Sequence, residues 1–118
     1  MRVAFVVFNQ ITALDFIGVY DPITRLKTMN LMPELSWDIC ALSETIVDDK
    51  GLIFTATEVA KSLEKYDLLV VPGGLGTRTL IDDRAFIAWL KTSTSCQLKT
   101  SVCTGALLLG AAGFLQGR

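Results

Sequence analysis

The chain has 118 residues, which suits a single domain and excludes two ordinary ones. Its net charge is −1 and its basic residues are scattered, which argues against a nucleic-acid-binding protein. Although 51% of the residues are apolar, charge, proline or glycine interrupts every apolar stretch well before the roughly 20 residues that a membrane span needs.

The first half of the chain predicts strands around one long helix. A nearly all-apolar run over residues 2–8 is typical of a strand that is buried on both faces. Residues 14–29 have helical spacing, and Pro22 inside them predicts a kink or a late start. Further strands are predicted over residues 36–42 and 52–55, with a turn at 48–51 between them and a helical turn at 58–63.

The second half of the chain continues the alternation. Strands are predicted over residues 67–71 and 99–102. Between them, Asp82 and Asp83 predict the cap of a helix over residues 84–91, with an end at Cys96 as the alternative. Small residues favour a helix over 104–112, which Gly113 would end.

Strands that alternate with helices predict a parallel sheet with helices on both faces. Right-handed crossovers place the carboxyl end of every strand at one edge of such a sheet, where ligands bind. Three segments reach that edge, namely residues 9–15, 72–76 and 103–104. We therefore expect the functional groups in these segments to lie close together.

Cys103 stands between the last predicted strand and the helix of small residues. A residue at such a turn takes a strained backbone conformation, and its side chain stands clear of the sheet. The helix dipole and the first N–H groups of the helix favour the thiolate, which is the nucleophilic form of cysteine. The position predicts a catalytic nucleophile, and the alternative is a small buried apolar side chain.

Two backbone amides are candidates for binding a negatively charged intermediate. Gly73 and Gly74 follow a buried strand, and glycines there let N–H groups face an anion. The amides of Gly74 and Thr104 are predicted to form an oxyanion hole beside the sulfur, and the Thr104 hydroxyl is a further contact to the reacting group. The alternatives are an ordinary turn for the glycines and a helix N-cap for Thr104.

Asp15 is the leading acid and base candidate, because the chain contains no histidine. It lies among apolar neighbours, and the sheet edge is expected to place it opposite Cys103. From there it would donate a proton to the sulfur or the substrate and later take one from water. The alternative is an N-cap for the first helix, and Asp21, about two turns deeper, is the weaker candidate.

The other cysteines, the tryptophans and residues 48–50 are expected to have structural rather than catalytic roles. The three cysteines are an odd number without metal-type spacing, and they favour a reducing cytoplasm. Cys40 is expected in the core, and Cys96, after a polar stretch, is expected to be partly exposed. Trp37 and Trp89 predict packing, and residues 48–50 predict a solvated turn.

Three motifs together resemble the DJ-1/PfpI superfamily: Leu-Asp-Phe-Ile-Gly at 14–18, Pro-Gly-Gly at 72–74 and Val-Cys-Thr-Gly at 102–105. Residues 14–18 and 100–117 are most similar to the isonitrile hydratases of that superfamily. The resemblance spans the whole chain in order and spacing. It implies a flavodoxin-like α/β fold, similar to class I glutamine amidotransferases, with a parallel sheet and helices on both faces.

Residue by residue, the resemblance implies that Cys103 is the nucleophile, Asp15 its carboxylate partner and Thr104 the neighbouring hydroxyl, with amide donors at Gly74 and Thr104. Many members carry Glu at the position of Asp15, and Asp favours the isonitrile hydratase branch. The implied reaction hydrates an isonitrile to an N-substituted formamide through a thioimidate on Cys103. It requires no metal or organic cofactor.

Family members are longer, so these residues are expected to form the N-terminal portion of a longer family domain, with the sheet truncated at its C-terminal side. The exposed sheet edge and apolar helix faces of such a portion predict a homodimer or association with another chain. Three alternatives remain: glyoxalase, deglycase or amidase chemistry on the same cysteine, a non-catalytic sensor domain of an AraC-type transcription regulator, and an inactive remnant.

Overall fold

A five-stranded parallel sheet forms the centre of the protein in a computed structural model that describes residues 1–114. In chain order the strands are β1 (Arg2–Val6), β2 (Ser36–Ala41), β3 (Thr45–Val47), β4 (Ile53–Thr55), β5 (Glu58–Val59), β6 (Leu68–Val71) and β7 (Leu98–Ser101). The central sheet has the order β5-β2-β1-β6-β7, and β3 and β4 form a separate antiparallel hairpin. All pairs within the central sheet are parallel, as the sequence predicts.

Within residues 1–114 four helices accompany the strands: α1 (Ala13–Thr28), α2 (Thr77–Leu80), α3 (Arg84–Lys91) and α4 (Gly105–Ala111). The chain runs from β1 through α1 to β2 on one side, and from β6 through α2 and α3 to β7 on the other. Right-handed crossovers in opposite directions place these helices on opposite faces of the sheet. Aromatic contacts join them to the first strand and its extension: Phe5 to Phe16 of α1 at 5.9 Å, and Phe8 to Phe86 of α3 at 6.0 Å between ring centroids.

The first strand is the core of the sheet. Every residue from Val3 to Phe8 is buried, which confirms the prediction of a strand covered on both faces. The regular strand ends at Val6, two residues before the predicted end. The chain remains buried for those two residues and then turns towards the first helix.

Helix boundaries follow local signals in the second half of the chain. The carboxylate of Asp83 accepts a hydrogen bond from the Phe86 amide at 3.0 Å, which confirms the predicted cap of α3. That helix ends at Lys91 and does not reach Cys96. Gly113 takes φ +85° just after α4, the left-handed conformation that ends many helices.

One prediction in the first half of the chain is wrong, and one of the two alternatives at Pro22 is excluded. The helical turn at 58–63 is absent, because Glu58 and Val59 instead pair with Cys40 and Ala41 of β2 as a short edge strand. The late start of α1 is also absent, since the helix begins at Ala13 and continues through Pro22. Pairing with β2 outweighs the local helical preference at residues 58–63. The short elements β3 and α2 were not predicted.

Apolar side chains remain on the surface of the described residues. Leu14 is 78% exposed, and Leu75 and Leu31 are 64% and 67% exposed. The association with a second chain that the sequence predicts stays a prediction. No helix within residues 1–114 combines the length and the hydropathy that crossing a bilayer requires.

Alanine substitutions at Gly105 and Gly18 test how tightly the carboxyl edge of the sheet is packed. A Cβ atom on Gly105 would collide with the Val71 carbonyl oxygen, whereas one on Gly18 meets nothing within 4 Å. We expect Gly105→Ala to lower the free energy of unfolding by about 1–3 kcal/mol through overpacking. The control Gly18→Ala, in the middle of α1, should raise it by up to about 1 kcal/mol. Urea unfolding measures both, and equal effects of the two substitutions would contradict the close approach at Gly105.

Candidate active site

The three segments that the sequence predicts at the carboxyl edge of the sheet meet around one pocket of about 210 Å³. The pocket is lined by Thr12, Asp15, Asp49, Gly74, Leu75, Arg78, Cys103 and Thr104. Two contributors were not foreseen: the turn between β3 and β4, which brings Asp49, and α2, which brings Arg78. A larger cavity of about 410 Å³, between the ends of β1 and β2 and helices α2 and α3, is lined by neither Cys103 nor Asp15.

Cys103 has φ +53°, in the left-handed region that non-glycine residues rarely adopt. Hydrogen bonds on both sides hold the turn: the Val102 amide donates to the Val71 carbonyl at 3.0 Å, and the Gly105 amide donates to the Val102 carbonyl at 3.0 Å. The residue is exposed, so the alternative of a buried apolar side chain is excluded. The strained conformation predicted at this position is confirmed.

Gly73 lies directly beneath this turn. A Cβ atom there would stand 2.8 Å from the Thr104 hydroxyl and 2.9 Å from the Cys103 Cβ. Only a glycine lets the two backbone segments approach so closely. The turn at Cys103, here called the cysteine turn, therefore packs against the Pro-Gly-Gly sequence only because Gly73 has no side chain. The alternative of an ordinary loop is excluded.

Gly74 connects the loop after β6, here called the glycine loop (residues 72–76), to the segment that follows β1. It has φ +149° and forms an antiparallel bridge with Ile11. Alongside this bridge, the Thr12 amide donates to the Gly73 carbonyl at 2.9 Å, and the Gly76 amide donates to the Gln10 carbonyl at 3.1 Å. These bonds fix the start of α1 beside the cysteine turn.

Asp15 lies in the first turn of α1 and is partly buried. Thr12 occupies the N-cap position, so the alternative of Asp15 as the cap is excluded. Within residues 1–114 its carboxylate takes part in no hydrogen bond or ion pair, although it lines the pocket with Cys103. Asp21, by contrast, is paired with Arg25 at 3.0 Å and does not line the pocket.

The two amides predicted for an oxyanion hole differ in their hydrogen bonding. The Gly74 amide already donates to the Thr104 hydroxyl at 3.1 Å. It reaches an anion only if that bond opens, which departs from the predicted arrangement. The Thr104 amide donates to no acceptor within residues 1–114, and Thr104 occupies the N-cap position of α4 without a side-chain capping bond.

Asp49 connects the hairpin to the site. Its carboxylate accepts a hydrogen bond from the Thr12 hydroxyl at 3.1 Å and forms an ion pair with Lys50 at 3.2 Å, and its amide donates to the Ile11 carbonyl at 2.9 Å. The prediction of a merely solvated turn is therefore wrong. The Asp-Asp-Lys-Gly sequence correctly signals the turn, but nothing local signals that it packs against the residue preceding α1.

Asp48 builds the turn that presents Asp49. Its buried carboxylate accepts hydrogen bonds from the Lys50 amide at 2.9 Å and the Leu52 amide at 2.7 Å. These backbone donors, that of Lys50 above all, hold the pKa of Asp48 below its ordinary value of 3.8. The ionised carboxylate therefore stabilises the folded protein at pH values above 3.8. Its contribution to the free energy of unfolding is lost as the pH falls through the lowered pKa.

The variant Asp48→Asn isolates this titration, because its amide oxygen accepts the same two hydrogen bonds without carrying a charge. We expect the difference in unfolding free energy between wild type and Asp48→Asn to favour the wild type above pH 4 and to shrink below it. Urea unfolding across an acidic pH series measures this. A difference that stays constant with pH would show that the carboxylate does not have a lowered pKa.

The other two cysteines are buried. Burial raises the pKa of the Cys40 thiol to about 11, and burial likewise raises the pKa of Cys96. The expectation that Cys96 is partly exposed is wrong, since its side chain is 3% exposed and its thiol donates to the Tyr66 carbonyl at 2.9 Å. Both thiols are protected from reagents in solution.

Thiol labelling tests this difference between the cysteines. A disulfide reagent such as dithiobis(nitrobenzoate) should modify one thiol per native chain, at Cys103, and Cys103→Ser should abolish the fast reaction. In denaturant all three cysteines of the wild type should react. Rapid labelling of native Cys103→Ser would show that Cys40 or Cys96 is accessible.

A parallel α/β sheet with an exposed cysteine at a strained strand-to-helix turn defines a class of proteins in which one side chain stands clear of the sheet at that turn. The chain belongs to the DJ-1/PfpI family, whose model matches residues 1–118.

One enzyme is similar to this chain in sequence, and solved structures are similar to it in fold. The chain is 31% identical to an isonitrile hydratase of Pseudomonas putida over 119 residues, which cover all of this chain and 50% of that enzyme. Oxidised DJ-1 of Toxoplasma gondii superposes with a TM-score of 0.77 at 22% identity, covering 98% of this chain and 63% of that one. A candidate transcriptional regulator of Vibrio parahaemolyticus superposes with a TM-score of 0.78 at 15% identity, covering 98% and 63%. The two structures share the fold, and this chain spans about half the length of the curated relative.

Proposed function

We propose that this protein is a cysteine-dependent isonitrile hydratase, which adds water to an isonitrile and releases an N-substituted formamide. The supporting observation is that the exposed, strained Cys103 and the unbonded carboxylate of Asp15 line the same pocket. The 31% identity to the Pseudomonas putida enzyme points to the same chemistry. Aspartate at position 15, rather than the glutamate of many family members, agrees with that branch.

In the first step the Cys103 thiolate attacks the terminal carbon of the isonitrile. A carbon–sulfur bond forms, and the electron pair that develops on the carbon takes a proton from Asp15, which gives a thioimidate. We assign the stabilisation of negative charge as the bond forms to the Thr104 amide, which follows Cys103 directly in the chain and has no acceptor within residues 1–114. Covalent attachment divides a difficult hydration into two easier steps.

In the second step water attacks the same carbon. Asp15, now ionised, takes a proton from the water and passes it to the imine nitrogen. The carbon–sulfur bond then breaks and restores the thiolate of Cys103. The hydroxyl proton of the intermediate returns to Asp15, and the formamide leaves. The net reaction adds one water to one isonitrile, so no electrons are exchanged with another molecule.

Two substitutions test these roles. With a simple aryl isonitrile, Cys103→Ala should lower kcat by a factor of about 10³ or more, because the covalent path is lost. Asp15→Asn should lower kcat by about 10²- to 10⁴-fold, the usual contribution of a general acid and base. The control Asp21→Asn, on the same helix but outside the pocket, should leave kcat unchanged. Formamide production followed by ultraviolet absorbance measures all three.

The outcomes separate the proposed function from its alternatives. Unchanged activity of Cys103→Ala would refute covalent catalysis, and unchanged activity of Asp15→Asn would refute the acid and base assignment. Consumption of methylglyoxal but not of the isonitrile, again dependent on Cys103, would assign the protein to glyoxalase or deglycase chemistry on the same thiol.

A further inference from the structure

We propose that Arg78 makes the Cys103 pocket selective for substrates that carry a carboxylate. The identity of the substrate as an isonitrile rests on the proposed function, whereas the recognition of an anion by Arg78 does not. Arg78 lies in α2 and lines the same pocket as Cys103 and Asp15. Its side chain is exposed, and within residues 1–114 its guanidinium forms no ion pair and no hydrogen bond.

The backbone around Arg78 is tied to the glycine loop that underlies the cysteine. The buried Thr77 donates its hydroxyl hydrogen to the Gly74 carbonyl at 2.8 Å, and the Arg78 amide donates to the Leu75 carbonyl at 3.3 Å. Gly73, in the same loop, packs directly against Cys103. Hydrogen bonds and packing therefore connect the backbone of Arg78 to that of Cys103. The guanidinium itself contacts no hydrogen-bond or ion-pair partner within residues 1–114.

Asp15, Asp49 and Arg78 line the pocket, and they differ in the hydrogen bonds and ion pairs that they form. The carboxylate of Asp49 is occupied by Lys50 and by the Thr12 hydroxyl. Asp15 is the proton donor and acceptor of the proposed reaction and supplies no positive charge. Arg78 is the cation among the lining residues, so an anionic substituent must point towards Arg78 while the reacting carbon faces Cys103.

Arginine suits this role because it stays charged at every pH at which an enzyme works and because its fork of N–H groups matches a carboxylate. The substrate class that this charge favours is an isonitrile with a carboxylate on its organic substituent.

Two alkylating agents of nearly equal size test the recognition without any hydration step. Iodoacetate carries a carboxylate, and iodoacetamide carries a neutral amide. Both form a carbon–sulfur bond with the Cys103 thiolate and release iodide. For each variant, the ratio of the iodoacetate rate to the iodoacetamide rate, divided by the same ratio for a small free thiol, reports the preference of the pocket for an anion.

We expect Arg78→Gln to lower this normalised ratio by roughly tenfold, the scale of one charge-assisted hydrogen bond. Arg78→Lys should lower it less, because the charge remains while the fork is lost. The control Arg84→Gln, at the start of α3 and outside this pocket, should leave it unchanged. Added salt should lower the ratio of the wild type towards that of Arg78→Gln.

A ratio that neither Arg78→Gln nor salt changes would overturn the proposal. The same variants are then assayed with a carboxylate-bearing isonitrile and its neutral amide, where Arg78→Gln should raise KM for the anionic substrate only. If neither isonitrile is hydrated while the alkylation ratio still falls in Arg78→Gln, the recognition of anions stands and the hydratase function fails. If both are hydrated and the ratio does not fall, the hydratase function stands and the role of Arg78 fails.

Discussion

Close contact between stretches of backbone at the carboxyl edge of the sheet holds the site together. Gly73 packs under the cysteine turn, Gly74 bridges to Ile11, and Gly105 lies against the carbonyl of Val71. At each of these places a Cβ atom would stand closer to the facing atoms than real side chains do. The absence of three side chains therefore allows the end of β1, the loop after β6 and the turn after β7 to share one small pocket.

The strain at Cys103 depends on this scaffold. A left-handed conformation in a non-glycine residue costs about 1–3 kcal/mol, and it persists only where the surroundings determine it from several sides. Here the turn is held by β6 through Val71, by the packing of Gly73 and by the first residues of α4. The consequence is an exposed sulfur in a protein whose other two thiols are buried.

The pocket within residues 1–114 is lined by no histidine, since the sequence has none. The carboxyl group of Asp15, from the first turn of α1, reaches it because Thr12 is bonded to Gly73 on one side and to Asp49 on the other. The proposed reaction gives Asp15 the proton transfers that an imidazole performs in many cysteine enzymes. The Gly74 amide is occupied by the Thr104 hydroxyl, whereas the Thr104 amide has no acceptor within residues 1–114. Arg78 adds a positive charge on the remaining side.

The sequence alone determined the parallel α/β architecture, the buried first strand, the cap of α3, and the elements that carry Cys103, Asp15, Gly74 and Thr104. These follow from hydrophobic periodicity and from residue types with strong local preferences, which act over a few neighbouring residues. Only the tertiary structure decided that Glu58 and Val59 form an edge strand, that Asp49 and Arg78 line the pocket, that the Gly74 amide is occupied, and that Cys96 is buried. Each of these depends on pairing or packing between segments distant in the chain, and a local pattern carries no information about which distant partner a residue will meet.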